Sequence, residues 1–194
     1  MLRHILAWIA AIIVGVVLGL ASAWASLQFG GASFTEQYGH WMFSRAAGST
    51  AAGPYTRAII ARDGLLALSA REAVYFSLYT DEHDRPLDES CVYELNGRPL
   101  DARWWSVTLY ADDNYLARNS DNAHSIDATR VGNDGAWAAR ISPVRGEATN
   151  WLSSREARRG FVVMLRVYNP QRDFRPSEAS LPVLTTVSCA GDAP

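Results

Sequence analysis

Along the chain, hydrophobic positions fall into two regimes: one unbroken apolar run at residues 5–24, and short alternating runs from residue 73 onward. The first carries no charge over 20 residues, enough at 1.5 Å per residue to span a hydrocarbon core of ~30 Å, so it predicts a membrane-crossing helix. The later runs, 73–80, 90–96, 103–111, 137–142, 161–168 and 183–190, predict strands. In the richest of them Trp105, Val107 and Leu109 alternate with Trp104, Ser106, Thr108 and Tyr110. Period 2 with aromatic and β-branched residues is the mark of a pleated, half-buried strand. Because each buried Trp or Tyr removes roughly 150–250 Å² from water, this strand is expected near the middle of its sheet.

Turn-forming clusters at 81–86, 96–97, 112–114, 133–135 and 169–170 separate the runs. Many short strands without long helices between them predict a mainly β domain, an antiparallel β-sandwich of jelly-roll-like form whose two layers share one core. Residues 153–159 fit a helical turn and a loop equally well. Ahead of the strands, Pro54 suits a first helical turn, and Ile59, Ile60, Leu66 and Leu68 give an apolar face broken at Gly64, so one short helix is expected before the sheet. Residues 28–53 mix Gly, Ala and Ser with isolated aromatics such as Phe34, Tyr38 and Trp41, show no period, and read as a tether. The expected organisation is an anchor over 1–27, a tether over 28–53 and a β-sandwich domain over 54–194.

Arg3 and His4 precede the apolar run and uncharged residues follow it, so the positive-inside rule places the first residues in the cytoplasm and the rest outside. This describes a single-pass protein of a bacterial inner membrane, held through residues 5–24, with a periplasmic domain. A cleavable signal is the rival reading, with small residues available at 21–25, but its apolar region should be ~7–15 residues long. A buried core helix is the third. Gly15 and Gly19 have the spacing of membrane helix pairs, a pattern frequent in such spans by chance.

Charge narrows the partners. The net charge is −2, and all 18 basic residues are Arg. Without Lys there is no Walker phosphate loop, no Schiff base and no Ser-Lys pair, and without a basic excess no nucleic-acid partner is expected. Cys91 and Cys189 are the only cysteines. In an oxidising compartment such a pair reads as a disulfide, the alternative being two buried thiols.

Three groups of residues are candidates for chemistry. His83, with Asp81, Glu82 and Asp84, is dense in ligand types but lacks the spacing of a cation loop, and it reads as a hairpin turn; no metal or cofactor is expected. His124 lies in a polar loop between Asp121 and Asp127, a place where a rigid β scaffold can carry a general base. Trp104, Tyr110, Asn150 and Trp151, with Trp105 and Tyr115, could line a cleft for a sugar ring or an apolar ligand, or simply pack a core around a turn in which Asn150 bonds the backbone. Arg166, set among apolar strand residues, either faces outward or pairs with a carboxylate such as Glu94. No Gly-x-Ser-x-Gly elbow is present, and no motif compels a reaction.

Several segments together, Pro54-Tyr-Thr-Arg-Ala58, Glu72-Ala-Val-Tyr-Phe76, Trp105-Ser-Val-Thr-Leu-Tyr110, Asn150-Trp-Leu152 and Leu165-Arg-Val-Tyr168, give the chain its resemblance to a bacterial family, the domain of unknown function 1214. The resemblance covers roughly residues 54–190. It implies a jelly-roll-like domain like the family's C-terminal one, often fused to or encoded beside a second envelope domain, and it implies no accepted activity. Here an anchor takes the companion's place, so a function needing both halves requires a separate chain. The expected role is an envelope binding or assembly module; the alternative is a hydrolase or carbohydrate-active domain using the His124 loop and the Trp and Asn150 cleft.

Overall fold

Residues 1–29, 35–44, 47–49, 52–62, 68–69, 71–132, 134–171 and 174–190 are described by the computed structural model of the chain. Its first element, α1 (Leu2–Phe29), is 28 residues long, about 42 Å at 1.5 Å per residue. The apolar window within it is buried against nothing in the protein. A short helix, α2 (Pro54–Arg62), begins on its proline as expected; Gly64 and Leu66 lie outside the described residues.

Strands follow from the alternation. In chain order they are β1 (Glu36–Tyr38), β2 (Trp41–Phe43), β3 (Ala73–Leu78), β4 (Cys91–Gly97), β5 (Ala102–Tyr110) and β6 (Ser125–Asp127). After a one-turn helix α3 (Ala128–Val131) come β7 (Trp137–Ser142), β8 (Trp151–Ser153), β9 (Val162–Pro170) and β10 (Val183–Cys189). They form a six-stranded sheet in the order β1-β2-β3-β9-β5-β6 and a four-stranded sheet in the order β10-β4-β7-β8. The six strands expected from periodicity are β3, β4, β5, β7, β9 and β10, with ends that agree to within two residues.

One core lies between the sheets. From the large sheet it takes Phe76 and Leu78, then Trp105, Val107 and Leu109, then Val163, Leu165 and Val167. From the small sheet it takes Tyr93 and Leu95, Trp137 and Ile141, and Leu152. Across the gap Trp105 stacks on Trp137 with centroids 4.6 Å apart and planes 17° from parallel. Tyr93 meets Phe161 edge-on at 6.1 Å. Gly97, opposite Trp137 on the paired strand, is what admits that indole, because a Cβ there would lie 2.2 Å from the ring.

Three local features differ from the expectation. The central strand is β9, paired along most of its length with β3 on one side and β5 on the other, whereas β5 has only the three-residue β6 beyond it. Trp104 nonetheless finds cover on the outer face, tilted against Tyr168 at 5.2 Å. Residues 36–43, read as tether, are instead a hairpin that continues the large sheet, with a two-residue turn holding Gly39 at φ 60°. Its strands are too short to show a period; they are held by pairing with β3, by burial of Trp41 and Phe43, and by the Trp41 Nε1–H donating to Pro182 O at 2.7 Å. Third, β8 runs parallel to β7 in an otherwise antiparallel pair of sheets, because the 143–150 connection returns the chain alongside β7. Of the two readings of residues 153–159 the loop holds: Ser153 ends β8, and turns follow with Glu156 and Arg158 left-handed.

Cys91 and Cys189 stand directly opposite each other on β4 and β10 and are joined by a disulfide, Cα–Cα 4.0 Å, across 98 residues of sequence. On the outer face of the large sheet a second cluster, Ala47, Ala73, Tyr75 and Met164, receives Ile60 of α2. Trp105→Ala should lower unfolding stability by about 3–5 kcal/mol, read from denaturant melts of the detergent-solubilised chain, because it removes the largest fully buried side chain and strands Trp137 beside the void.

Candidate functional site

Asp121, in the loop before β6, is held from β8 and the turn after it. Ser153 Oγ–H donates to its Oδ2 at 2.6 Å, Arg155 Nε–H donates to the same oxygen at 3.0 Å, and the Arg155 Nη2 pairs with Oδ1. The Arg155 and Ser153 hydrogen bonds hold the Asp121 carboxyl below the ordinary carboxylate value. Ser153 is fully buried. Asp127 accepts from the backbone N–H of Thr129 at 2.8 Å and Arg130 at 3.1 Å, so it caps α3. His124 continues the ladder through its backbone, its carbonyl accepting from Leu109 N–H at 2.9 Å. Its ring Nδ1 is buried without a hydrogen-bond partner. The loop therefore gathers the three predicted residues near one sheet edge, but neither acid hydrogen bonds to His124. Ser153 and Arg155, the groups that do meet Asp121, lie more than 30 positions away in sequence, and no local pattern announces them.

Trp104, Tyr110, Asn150 and Trp151 are divided between the sheets. Trp104 and Tyr110 point outward from the large sheet, Trp104 Nε1–H donating to Thr129 Oγ1 at 2.9 Å. Asn150 and Trp151 belong to the small sheet, where they make the parallel return: Asn150 Nδ2–H donates to Ala138 O at 2.9 Å, and Trp151 Nε1–H to Ser142 O at 3.0 Å. Trp105 is in the core, and Tyr115 is 69% exposed on a loop. Arg166 lies on the outer face with Tyr110 and Thr108, bonding both hydroxyls and lying 5.4 Å from the Tyr110 ring centre. Glu94 lies on the other sheet, so the alternative of an Arg166–Glu94 pair is not taken.

The acidic turn brings Asp81, Glu82 and His83 close, with ligand atoms within 4.8 Å of one another. Both carboxylates are already engaged. Asp81 accepts from the backbone N–H groups of His83 and Arg85, each at 2.9 Å, and from Arg85 Nε–H at 2.8 Å. Glu82 receives Thr186 N–H at 2.8 Å and the Thr186 hydroxyl at 3.0 Å, where the β10 register shifts. Burial pushes the Asp81 carboxyl up, but the backbone bonds from Arg85 and His83 and the Arg85 guanidinium outweigh it, and its pKa falls below the ordinary value. The turn is built as a structural joint. A cleft of about 760 Å³ opens elsewhere, at one edge of β3, and none of the residues named in the sequence as candidates for chemistry lines it.

Comparison with known proteins bears on family and fold. Residues 72–172 match the family described as protein of unknown function (DUF1214). Among solved structures, the VPA0106 protein from Vibrio parahaemolyticus is similar with 26% identity and a TM-score of 0.56 over 71% of this chain. This chain spans 36% of that one. An uncharacterised protein from Burkholderia cenocepacia aligns at 16% identity and a TM-score of 0.46, covering 59% of this chain and 29% of its own. No curated protein matches.

Since the folded pKa of Asp81 is depressed, its contribution to stability is complete above the ordinary value of about 4 and is lost as pH falls through the folded value. Asp81→Asn should cost about 1–3 kcal/mol at pH 7, by leaving Arg85 and two backbone donors poorly met, and should flatten the fall in melting temperature between pH 5 and 2. A variant as acid-sensitive as the parent would place the titrating group elsewhere.

Proposed function

The chain belongs to the family described as protein of unknown function (DUF1214), and from that premise we propose that it is an envelope binding or assembly module, a β-sandwich held by an uncleaved helix on the periplasmic face of a bacterial inner membrane. The observation that carries this reading is α1. Its side chains Trp8, Ile12, Leu18 and Leu20 are exposed to the extent of 63–73%, a continuous apolar surface that a bilayer would cover and the sandwich does not. Arg3 at one end orients it with the sandwich outside. The Cys91–Cys189 disulfide agrees with an oxidising side.

A binding role fits the polar groups. The acids around His124 are spent on Ser153, Arg155 and α3, and Asn150 and Trp151 on the β7–β8 return, so these four side chains hold the fold together. The VPA0106 chain extends well beyond the portion matched here, so the partner to seek first is a separate envelope protein carrying a companion domain.

Alkaline phosphatase fused after Pro194 should be active, with the chain resistant to alkaline extraction from membranes and migrating at its full mass. A fluorescent cytosolic fusion in place of the active phosphatase would reverse the orientation. Joint replacement Cys91→Ser and Cys189→Ser should lower stability by up to about 4.7 kcal/mol, as closure of a loop near 100 residues allows, measured by denaturant melts with and without reductant.

A further inference from the structure

The large sheet has a gap in its edge. β2 ends at Phe43, opposite Phe76, while β3 begins three residues earlier, so Ala73, Val74 and Tyr75 have no strand beside them on that side among the described residues. The cleft of about 760 Å³ occupies this gap, within the ~300–1,000 Å³ typical of sites for small molecules. One wall is the margin of the core, where Phe43, Val74 and Phe174 meet. The other is the outer cluster of Ala47, Ala73 and Tyr75. The cleft thus joins the two apolar clusters around an open strand edge.

Among the described residues lining it, Arg71 is the one charged group, beside Ser44 and Gln171. Among the described residues no carboxylate lines the cleft, and no ion pair or hydrogen bond engages the Arg71 side chain. Its neighbour Glu72 accepts from Ser69 Oγ–H at 2.7 Å. Arg175 stands between two further lining residues, Phe174 and Pro176. The cleft also lies on the anchor side of the molecule, since Ile60 of α2 packs on its outer wall and α2 adjoins α1.

From this juxtaposition we infer that the cleft binds an acyl chain carrying an anionic head group, the chain along the Phe43, Tyr75 and Phe174 surface and the head on Arg71. An apolar trough takes methylenes by excluding water, and an unpaired guanidinium presents donors in the fork that a carboxylate or phosphate accepts. This names a ligand for the binding role proposed above and rests on it. A free fatty acid and an anionic phospholipid share the chemistry.

The test uses the full chain with its disulfide intact, in phosphatidylcholine nanodiscs, photolabelled with a diazirine-bearing palmitate and mapped by mass spectrometry. Label is expected on peptides containing Phe43, Tyr75 or Phe174, displaced by excess unlabelled palmitate. Displacement by phosphatidylglycerol as well would identify a phospholipid as the occupant, and displacement by palmitate alone a fatty acid. Arg71→Gln should weaken the carboxylate probe about tenfold while leaving the matching photoreactive alcohol unchanged. Gln171→Trp, at an exposed rim position, should weaken both, with circular dichroism and the Cys91–Cys189 bond confirming the fold. Label confined to Leu2–Phe29, label that no competitor displaces, or an Arg71→Gln chain that folds and labels like the parent would overturn the inference. Labelling is read on the purified chain and does not depend on orientation, so its failure and that of the phosphatase fusion are separate results.

Discussion

The sandwich depends on the filling of one gap by large rings. Two sheets can share a core only if the side chains between them interdigitate at the density of a protein interior, and here the Trp105–Trp137 stack joins β5 to β7 across that gap. The same contact fixes register on both sides. A slip of one residue in β5 would exchange Trp105, Val107 and Leu109 for Trp104, Ser106 and Thr108 on the inner face, and Gly97 opposite Trp137 leaves room for the indole at only one place along β4.

Around that core the margins are closed by different means. The β4–β10 margin is covalent, through Cys91 and Cys189, and is pinned again where Glu82 reaches the Thr186 backbone at the shifted register. The β8 margin is held by side chains on backbone, Asn150 on Ala138 and Trp151 on Ser142, and is tied to the other sheet's side through Ser153 and Asp121. At the far side of the large sheet β2 covers only half of β3, and there the cleft opens. There, beside α2 and α1, an apolar trough and an unpaired arginine come together.

The polar constellations share one explanation. A buried or half-buried carboxylate must be met by donors, and in this fold the donors come from the chain itself: Arg85 and two backbone amides for Asp81, Ser153 and Arg155 for Asp121, the first turn of α3 for Asp127. The carboxylates that suggest catalysis in a linear reading are, in space, joints between loops and strands. That is why the functional proposal rests on surfaces and on an anchor rather than on a reactive centre.

From the chain alone the long N-terminal apolar helix, the mainly β class and six of the strands could be read, because each rests on a local pattern: 20 apolar residues in succession, or aromatic and β-branched residues at every second position. The family was legible from the strand and turn segments at 105–110 and 150–152. What tertiary structure alone decided has no local period to betray it. Hairpin residues 36–43 and the three-residue β6 and β8 become strands by borrowing hydrogen bonds from longer neighbours. The division of Trp104 from Trp151 follows from sheet order, and the partners of Asp121 lie more than 30 positions away. The cleft exists because one strand stops three residues short of its neighbour, a difference in pairing length between segments 30 positions apart.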